Sequence, residues 1–274
     1  MGVFNRTYLK LALVSVSFTL IFYFFCSIMI DYILHSNMNL VFDVYYKQIS
    51  EKVKNDILLL KLSNEYLAKN GAIIEYLKQS REDYENTTIK KEQVLDEVKD
   101  IEKVLSTISF VDSINIVDLA NKHLFAKGRE TKDFNITLRP WYDKNFFTSH
   151  NKNSKLTHKH RDYMTGKETI SIVSLIYDDE DVTKYFRPIG TAILDIYVED
   201  LLRYIDNSFY AGVLKTAIYP EDTDIAKLRK ENKDYSIYVN KDILNNGEYL
   251  VFKFDKSSLL NGAVTETSLQ YFYL

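Results

Sequence analysis

The chain has 274 residues, 46% of them hydrophobic and 27% charged, and a net charge of -3. This supports one or two packed domains and provides no basic field for nucleic acid, so no nucleic-acid partner is expected. The single cysteine, Cys26, excludes an internal disulfide and a thiolate metal cluster, and the scarcity of glycine and proline excludes a fibrous or disordered chain.

The first element is the uncharged run from Leu11 to Ile30, LALVSVSFTLIFYFFCSIMI. At about 1.5 Å per residue it spans about 30 Å, one hydrocarbon core. A cleaved signal peptide would have a shorter apolar region ending in a small-x-small site. Here the run passes through Phe24, Phe25 and Met29 into Asp31-Tyr32-Ile33-Leu34. The expectation is an uncleaved transmembrane signal anchor over residues 11–34. Arg6 and Lys10 precede it and Asp31 follows it. The positive-inside rule then places residues 1–10 in the cytoplasm and the bulk of the chain outside, as a single-pass protein of the inner (plasma) membrane.

Ser36 to Asn70 reads as one long stalk helix. Phe42, Tyr45, Ile49, Val53, Ile57 and Leu60 recur at steps of three and four, and Asn70-Gly71 reads as its C-cap. The same spacing predicts a helix from about Lys90 to Thr107, after a polar loop at Arg81–Thr88. The period then changes. Val111–Asp118 and Leu124–Lys127 read as strands around the turn Ala120-Asn121-Lys122. Trp141–Phe147 reads as a short helix with Arg139-Pro140 at its start, and His150–Asp162 as a polar loop. Glu168–Tyr177 alternates as a strand, Asp178–Tyr185 is a charged loop, Ile189–Tyr197 reads as a central strand, and Glu199–Ile205 as a short helix. A smaller unit follows. Its expected strands are Val213–Tyr219, Tyr235–Asn240, Tyr249–Phe254 and Leu269–Tyr273, with a hairpin turn at Asn246-Gly247. Helices followed by antiparallel strands give an α+β class.

Three short motifs stand in order: Arg139-x-Trp141-Tyr142; Asp162-x-x-Thr165-Gly166 before Glu168-Thr169-Ile170-Ser171-Ile172; and Gly190-x-x-x-x-Asp195-Ile196. With the order of anchor, long helix and two sheet units, they resemble the double Cache (dCache) extracytoplasmic sensor domains of bacterial membrane receptors. The resemblance covers about residues 35–274. It implies two PAS-like antiparallel-sheet modules: a stalk helix and membrane-distal module over 35–206, and a membrane-proximal module over 207–274. It also implies a small-ligand pocket in the distal module, lined by Arg139, Trp141, Tyr142 and Asp195, with His160 and Asp162 beside it.

The chemistry is coherent on its own terms. A guanidinium offers a planar fork to a carboxylate, indole and phenol give an apolar wall with polar tips, and Asp195 is suited to an ammonium. An amino acid, an amine or a carboxylate is the expected partner, and no cofactor is expected. Two positions depart from the amino-acid-binding pattern, with Phe134 and His160 standing where tyrosines are usual. Structural readings remain open for each residue. Arg139 can pair with Asp143 or Asp162, Trp141 can fill core, and Asp195 can serve a structural hydrogen bond.

His150, His158 and His160 near Asp162 read either as solvated histidines or as an incomplete zinc set, without full metal-ligand spacing. No P-loop, G-x-S-x-G, H-E-x-x-H or dinucleotide fingerprint is present, so no catalytic residues are expected. The expected function is ligand sensing for a receptor, a diguanylate cyclase, chemoreceptor or histidine kinase, whose output domain and second membrane helix do not appear before Leu274. The stalk spacing permits a homodimer. The alternatives are a non-sensing anchored surface domain or a decayed receptor fragment.

Overall fold

The computed structural model describes residues 2–82, 88–105, 107–126, 129–139, 142–148, 154–162, 165–178, 188–209 and 212–258. The chain falls into two compact units, residues 1–47 and 48–274.

Helix α1 (Gly2–Ala68) supplies the first unit and continues into the second. The expected membrane span is helical throughout, and apart from half-buried Cys26 the side chains described within it are exposed, with Phe18 at 72% and Phe24 at 67%. Among the described residues no helix is long and apolar enough to cross a membrane. Within the run, side chains are described only for residues 14–29, which is about 24 Å of helix at 1.5 Å per residue. The expected span is therefore not established by the fold.

In the second unit α1 buries Ile49, Val53, Ile57 and Leu60 of the predicted stripe, and Leu67 beyond it. The helix ends at Ala68, close to the predicted stop, with Asn70 N donating to Leu67 O (3.2 Å), but the expected cap has a second role. Gly71 opens a further helix, α2 (Gly71–Glu82), and Asn70 caps it, its Oδ1 accepting from the amides of Ala72 (2.9 Å) and Ile73 (3.3 Å). An asparagine side chain suits that N-cap role as well as a C-cap. Helix α3 (Thr88–Leu105) follows.

The main sheet is antiparallel and mixes long and short strands: β1 (Val111–Asp118), β2 (His123–Ala126), β3 (Arg129–Thr131), β4 (Lys155–Leu156), β5 (His160–Arg161), β6 (Glu168–Ile176) and β7 (Gly190–Tyr197). Their order is β3-β2-β1-β7-β6-β4, with β5 also on β6. The predicted polar loop at 150–162 thus carries two edge strands. Lys155, His160 and Arg161 are polar, as suits edge strands buried on few sides, while Leu156 is buried.

The register sorts the two faces. Ile116, Ala192 and Ser174 align on one face, with Ile114, Leu194 and Ile172 beside them. Helices α1 and α2 cover it. Asn64 of α1 is fully buried there and donates to Ile172 O (3.0 Å), Ser174 Oγ (2.8 Å) and Ala192 O (3.1 Å). A Cβ at Gly190 would lie 2.9 Å from the Val117 carbonyl oxygen and 2.5 Å from Leu77 Cδ1 of α2, so a larger residue forces the backbone here to shift. The opposite face carries a second apolar cluster: Val117, Leu124, Val173, Leu175 and Ile193 meet Phe134, Ile136, Phe146 and Phe147 from the 134–148 segment.

That segment holds a short 3-10 helix at Ile136–Leu138 and helix α4 (Lys144–Thr148). The predicted helix start at Arg139-Pro140 is corrected. Asp143 caps α4, accepting from Asn145 N (2.9 Å), while Pro140 and Trp141 lie outside the described residues.

Helix α5 (Val198–Asp206) leads from β7 to a second sheet of order β8-β10-β9, built from β8 (Leu214–Pro220), β9 (Tyr235–Asn240) and β10 (Glu248–Asp255), with α6 (Ile225–Glu231) between β8 and β9. The β9–β10 link is longer than the predicted two-residue turn, running over 241–247 with Asn245 at φ 48 and Gly247 at φ 84. Its Asn246 points away to the main sheet, donating to Thr157 O (2.7 Å), and Glu248 accepts from Lys159 N (3.1 Å). The predicted strand at Leu269–Tyr273 lies outside the described residues.

Candidate functional site

The face of the main sheet roofed by residues 134–148 changes character toward the C-terminal end of β7. Asp195 pairs with Ser113 on β1 and Ser171 on β6, so three polar residues stand abreast where the neighbouring row is Asn115, Ile193 and Val173. The Asp195 carboxylate accepts from Ser171 Oγ (2.5 Å), Asn115 Nδ2 (2.7 Å) and Ser113 Oγ (3.3 Å). All three donors are neutral. The side chain sits in a central strand between buried neighbours yet keeps partial solvent access.

Burial pushes the Asp195 carboxyl up to about 6; the Ser171 and Ser113 hydroxyls oppose this, and the charges of Asp162 and Asp112 add to it. Tyr197, two residues on and on the same face, is pushed up to about 12, first by burial and then by Asp112 and Asp162, with the Thr165 contact opposing. Lys167 Nζ lies 4.1 Å from the centre of its ring.

His160 on β5 reaches the same row. Its Nε2 is 3.5 Å from Ser171 Oγ, and its Nδ1 is 3.0 Å from His158 O and 3.4 Å from Thr157 Oγ1. Burial lowers its pKa, against the His158 carbonyl and the charges of Asp162 and Glu248. Asp162 has a turn-forming task. Its Oδ1 accepts from Thr165 N (2.6 Å) and Thr165 Oγ1 (2.8 Å), and Gly166 follows at φ 68.

Arg139 and Tyr142 stand in the roof. The Arg139 guanidinium lies over the Phe134 ring at 4.2 Å, and Tyr142 stacks on Phe147 at 4.9 Å against the apolar cluster. Phe134, where a tyrosine was the pattern, is buried and serves as the platform for Arg139. Asp143 is engaged by Lys155 (2.6 Å). The fold therefore joins Asp195, His160 and Asp162 in one polar cluster and sets Arg139 and Tyr142 in the roof of the same sheet face. Trp141 and His150 lie outside the described residues. Among the described residues no group of three or more His, Cys, Asp or Glu side chains is placed to hold a metal ion.

Sequence reasoning missed Ser113, Asn115 and Ser171. The signal was available: Ser113 and Asn115 stand two residues apart in β1 and must face one side together.

No family model matches the sequence, and no curated protein matches it. Solved structures do match its fold. A domain of a protein described as sensory box/GGDEF family from Vibrio parahaemolyticus is 10% identical, with a TM-score of 0.53 over 77% of this chain and 93% of that one. The extracellular domain of a protein described as a histidine kinase is 12% identical, with a TM-score of 0.51 over 79% and 94%. The ligand-binding domain of the Pseudomonas aeruginosa amino acid chemoreceptor PctB, in complex with L-Gln, is 14% identical, with a TM-score of 0.50 over 77% and 88%. With its long N-terminal helix and two antiparallel sheets in sequence, the chain has the fold of the double Cache sensor domains.

Proposed function

We propose that the chain is an extracytoplasmic sensor of a small ligand bearing an ammonium group, an amino acid or a related amine, held at Asp195. One observation carries this reading. Asp195 is a desolvated carboxylate reached by solvent, surrounded by neutral donors and further carboxylates, with no cation of the described chain among its partners. A buried anion without a counter-charge is costly, and a ligand ammonium supplies what the site lacks. Arg139 and Tyr142, with Trp141 next to them in sequence, are the groups proposed to receive the other end of the ligand; a guanidinium suits a carboxylate. The amino acid complex of the PctB domain supports the same ligand class.

The output is proposed to be that of a membrane receptor, of the cyclase, kinase or chemoreceptor kind whose sensor domains share this fold. The exposed apolar N-terminal helix supports single-pass anchoring in the inner membrane, with the main sheet as distal module and the second sheet as proximal module. Leu58, Leu59, Leu62 and Tyr66 are exposed at helical spacing on α1, which supports pairing with a second copy through the stalk.

The test is thermal unfolding of the full chain in mild detergent against L-amino acids, primary amines and small carboxylates. A ligand that binds only the folded state raises Tm. The expected result is a rise with amine-bearing compounds, lost in Asp195→Ala. No rise with any compound, in protein shown to be folded, overturns the sensor reading in favour of a non-sensing anchored domain.

A further inference from the structure

Resting on the reading of Asp195 as the ammonium site, we propose that His160 is a positioning residue that acts on Asp195 through the Ser171 hydroxyl and makes cation binding exchange for protons. The geometry is directional. His160 Nδ1 faces His158 O at 3.0 Å, a pure acceptor, so the neutral ring carries its hydrogen on Nδ1 and turns a lone pair on Nε2 toward Ser171. Ser171 has one hydroxyl hydrogen. It goes to Asp195 Oδ1 at 2.5 Å, which leaves lone pair facing lone pair across the 3.5 Å gap to Nε2. That opposition accounts for the length of the contact. A proton on Nε2 turns the gap into a donor-to-acceptor contact, and Ser171 then relays His160⁺ to Asp195⁻.

Cations stand nearby: Lys167 lies over the Tyr197 ring, Lys159 pairs with Glu168 (3.2 Å), and Lys159 and Arg161 flank His160 in sequence, but the charges that act on the pair itself are carboxylates. Asp112 on β1 and Asp162 in the β5–β6 turn act on Asp195, and Asp162 and Glu248, the latter on β10, act on His160. With both groups deprotonated the row carries one negative charge and attracts an ammonium. The first proton, on either group, cancels that charge. The second makes the row cationic, and a like charge this near opposes an ammonium. The two sites titrate as a pair, not as separate residues. The raised Asp195 and lowered His160 pKa values bring both titrations toward mildly acidic pH. The ligand and the protons therefore compete. A position where the resembling family usually carries tyrosine, which cannot take up a proton, here holds a group that can.

The experiment is calorimetric titration of the full chain in mild detergent with L-glutamine and with ethylamine. It runs from pH 4.5 to 7.5, in two buffers of different ionisation heat so that protons released per ligand are counted. In the wild type, affinity is expected to fall at least about tenfold from pH 7 to pH 5, with more than one proton released per ligand at the acid end. His160→Gln, whatever its affinity at neutral pH, is expected to release no more than one proton per ligand, so its fractional loss between pH 7 and pH 5 is several-fold smaller than that of the wild type. Ser171→Ala, which breaks the relay and leaves both titrating groups, is expected to shift the midpoint of the profile. An affinity for either probe that does not change with pH, or a His160→Gln profile that coincides with the wild type, overturns this inference alone. Absence of binding by both probes at every pH overturns the ammonium reading along with it. A purely structural His160 would lower affinity equally at all pH values and leave the proton count unchanged, which also overturns the inference.

Discussion

Replacing Asp195 by asparagine should stabilise the protein at neutral pH while destroying its proposed ligand site. The folded-state carboxyl is raised from 3.8 to about 6. A carboxyl raised on folding favours the fold fully below its unfolded value, and that contribution is lost as pH climbs through the folded value. The loss reaches about 3 kcal/mol at pH 7.5, of which about 0.5 kcal/mol is already present at pH 4. Asparagine cannot ionise and escapes this loss. It turns one donor-bearing end toward the ring of donors; the Ser171 hydroxyl can reverse and accept, so about 1 kcal/mol of hydrogen bonding is given up. The net gain at pH 7.5 is about 2 kcal/mol, or about 4–8 °C in Tm for a chain of this size. At pH 4 the gain should vanish or reverse slightly. Thermal and urea unfolding of the full chain in detergent, wild type against variant from pH 4 to 8, measures this directly. A variant less stable than wild type at pH 7.5, or a difference that does not change with pH, would refute the claim that Asp195 is held as a strained anion.

Gly190→Ala should cost about 1–3 kcal/mol, because the added methyl meets Leu77 Cδ1 at 2.5 Å and the rigid Val117 carbonyl at 2.9 Å; the urea midpoint reads it. Asn64→Leu strips the buried amide contacts to Ile172, Ser174 and Ala192 and should lose about 1–3 kcal/mol in the same assay. Glu248→Ala removes the acceptor of Lys159 N and one partner of Asn246. It should cost about 1–2 kcal/mol and speed hydrogen exchange at the Lys159 amide by tenfold or more, with exchange in β1 unaltered.

The long helix, the central strands and Asp195 were legible because each follows from a period. The stripe through Ile49, Val53, Ile57 and Leu60 fits only a helix, and apolar runs such as 189–197 fit a strand covered on both faces. Helix α2 was hidden because Asn70-Gly71 is chemically the same signal whether it ends one helix or begins the next. Strands β4 and β5 were hidden because two-residue edge strands carry no period. The site was half legible for a related reason. An aspartate in an apolar strand stands out by cost, whereas Ser113, Asn115 and Ser171 are small and common, and only the register shows that they meet. Asn64 breaks the apolar stripe of α1 at a core position, and nothing local tells that its amide finds three acceptors more than a hundred residues away.

Ser171 is held by more than its hydroxyl. Its amide donates to Thr157 Oγ1 (2.9 Å), its carbonyl accepts from Thr157 N (2.9 Å), and Thr157 O is in turn gripped by Asn246 of the second sheet (2.7 Å). Two hydrogen-bonded steps thus separate the residue that touches Asp195 from the residue that joins the sheets. Thermodynamic reciprocity applies to such an arrangement. Whatever factor an occupied Asp195 imposes on the opening of the Thr157–Asn246 contact, loosening that contact must impose on ligand affinity. Substitutions at Asn246, remote from the pocket, should therefore change the dissociation constant for L-glutamine, and the size of that change measures how strongly the two sheets are coupled.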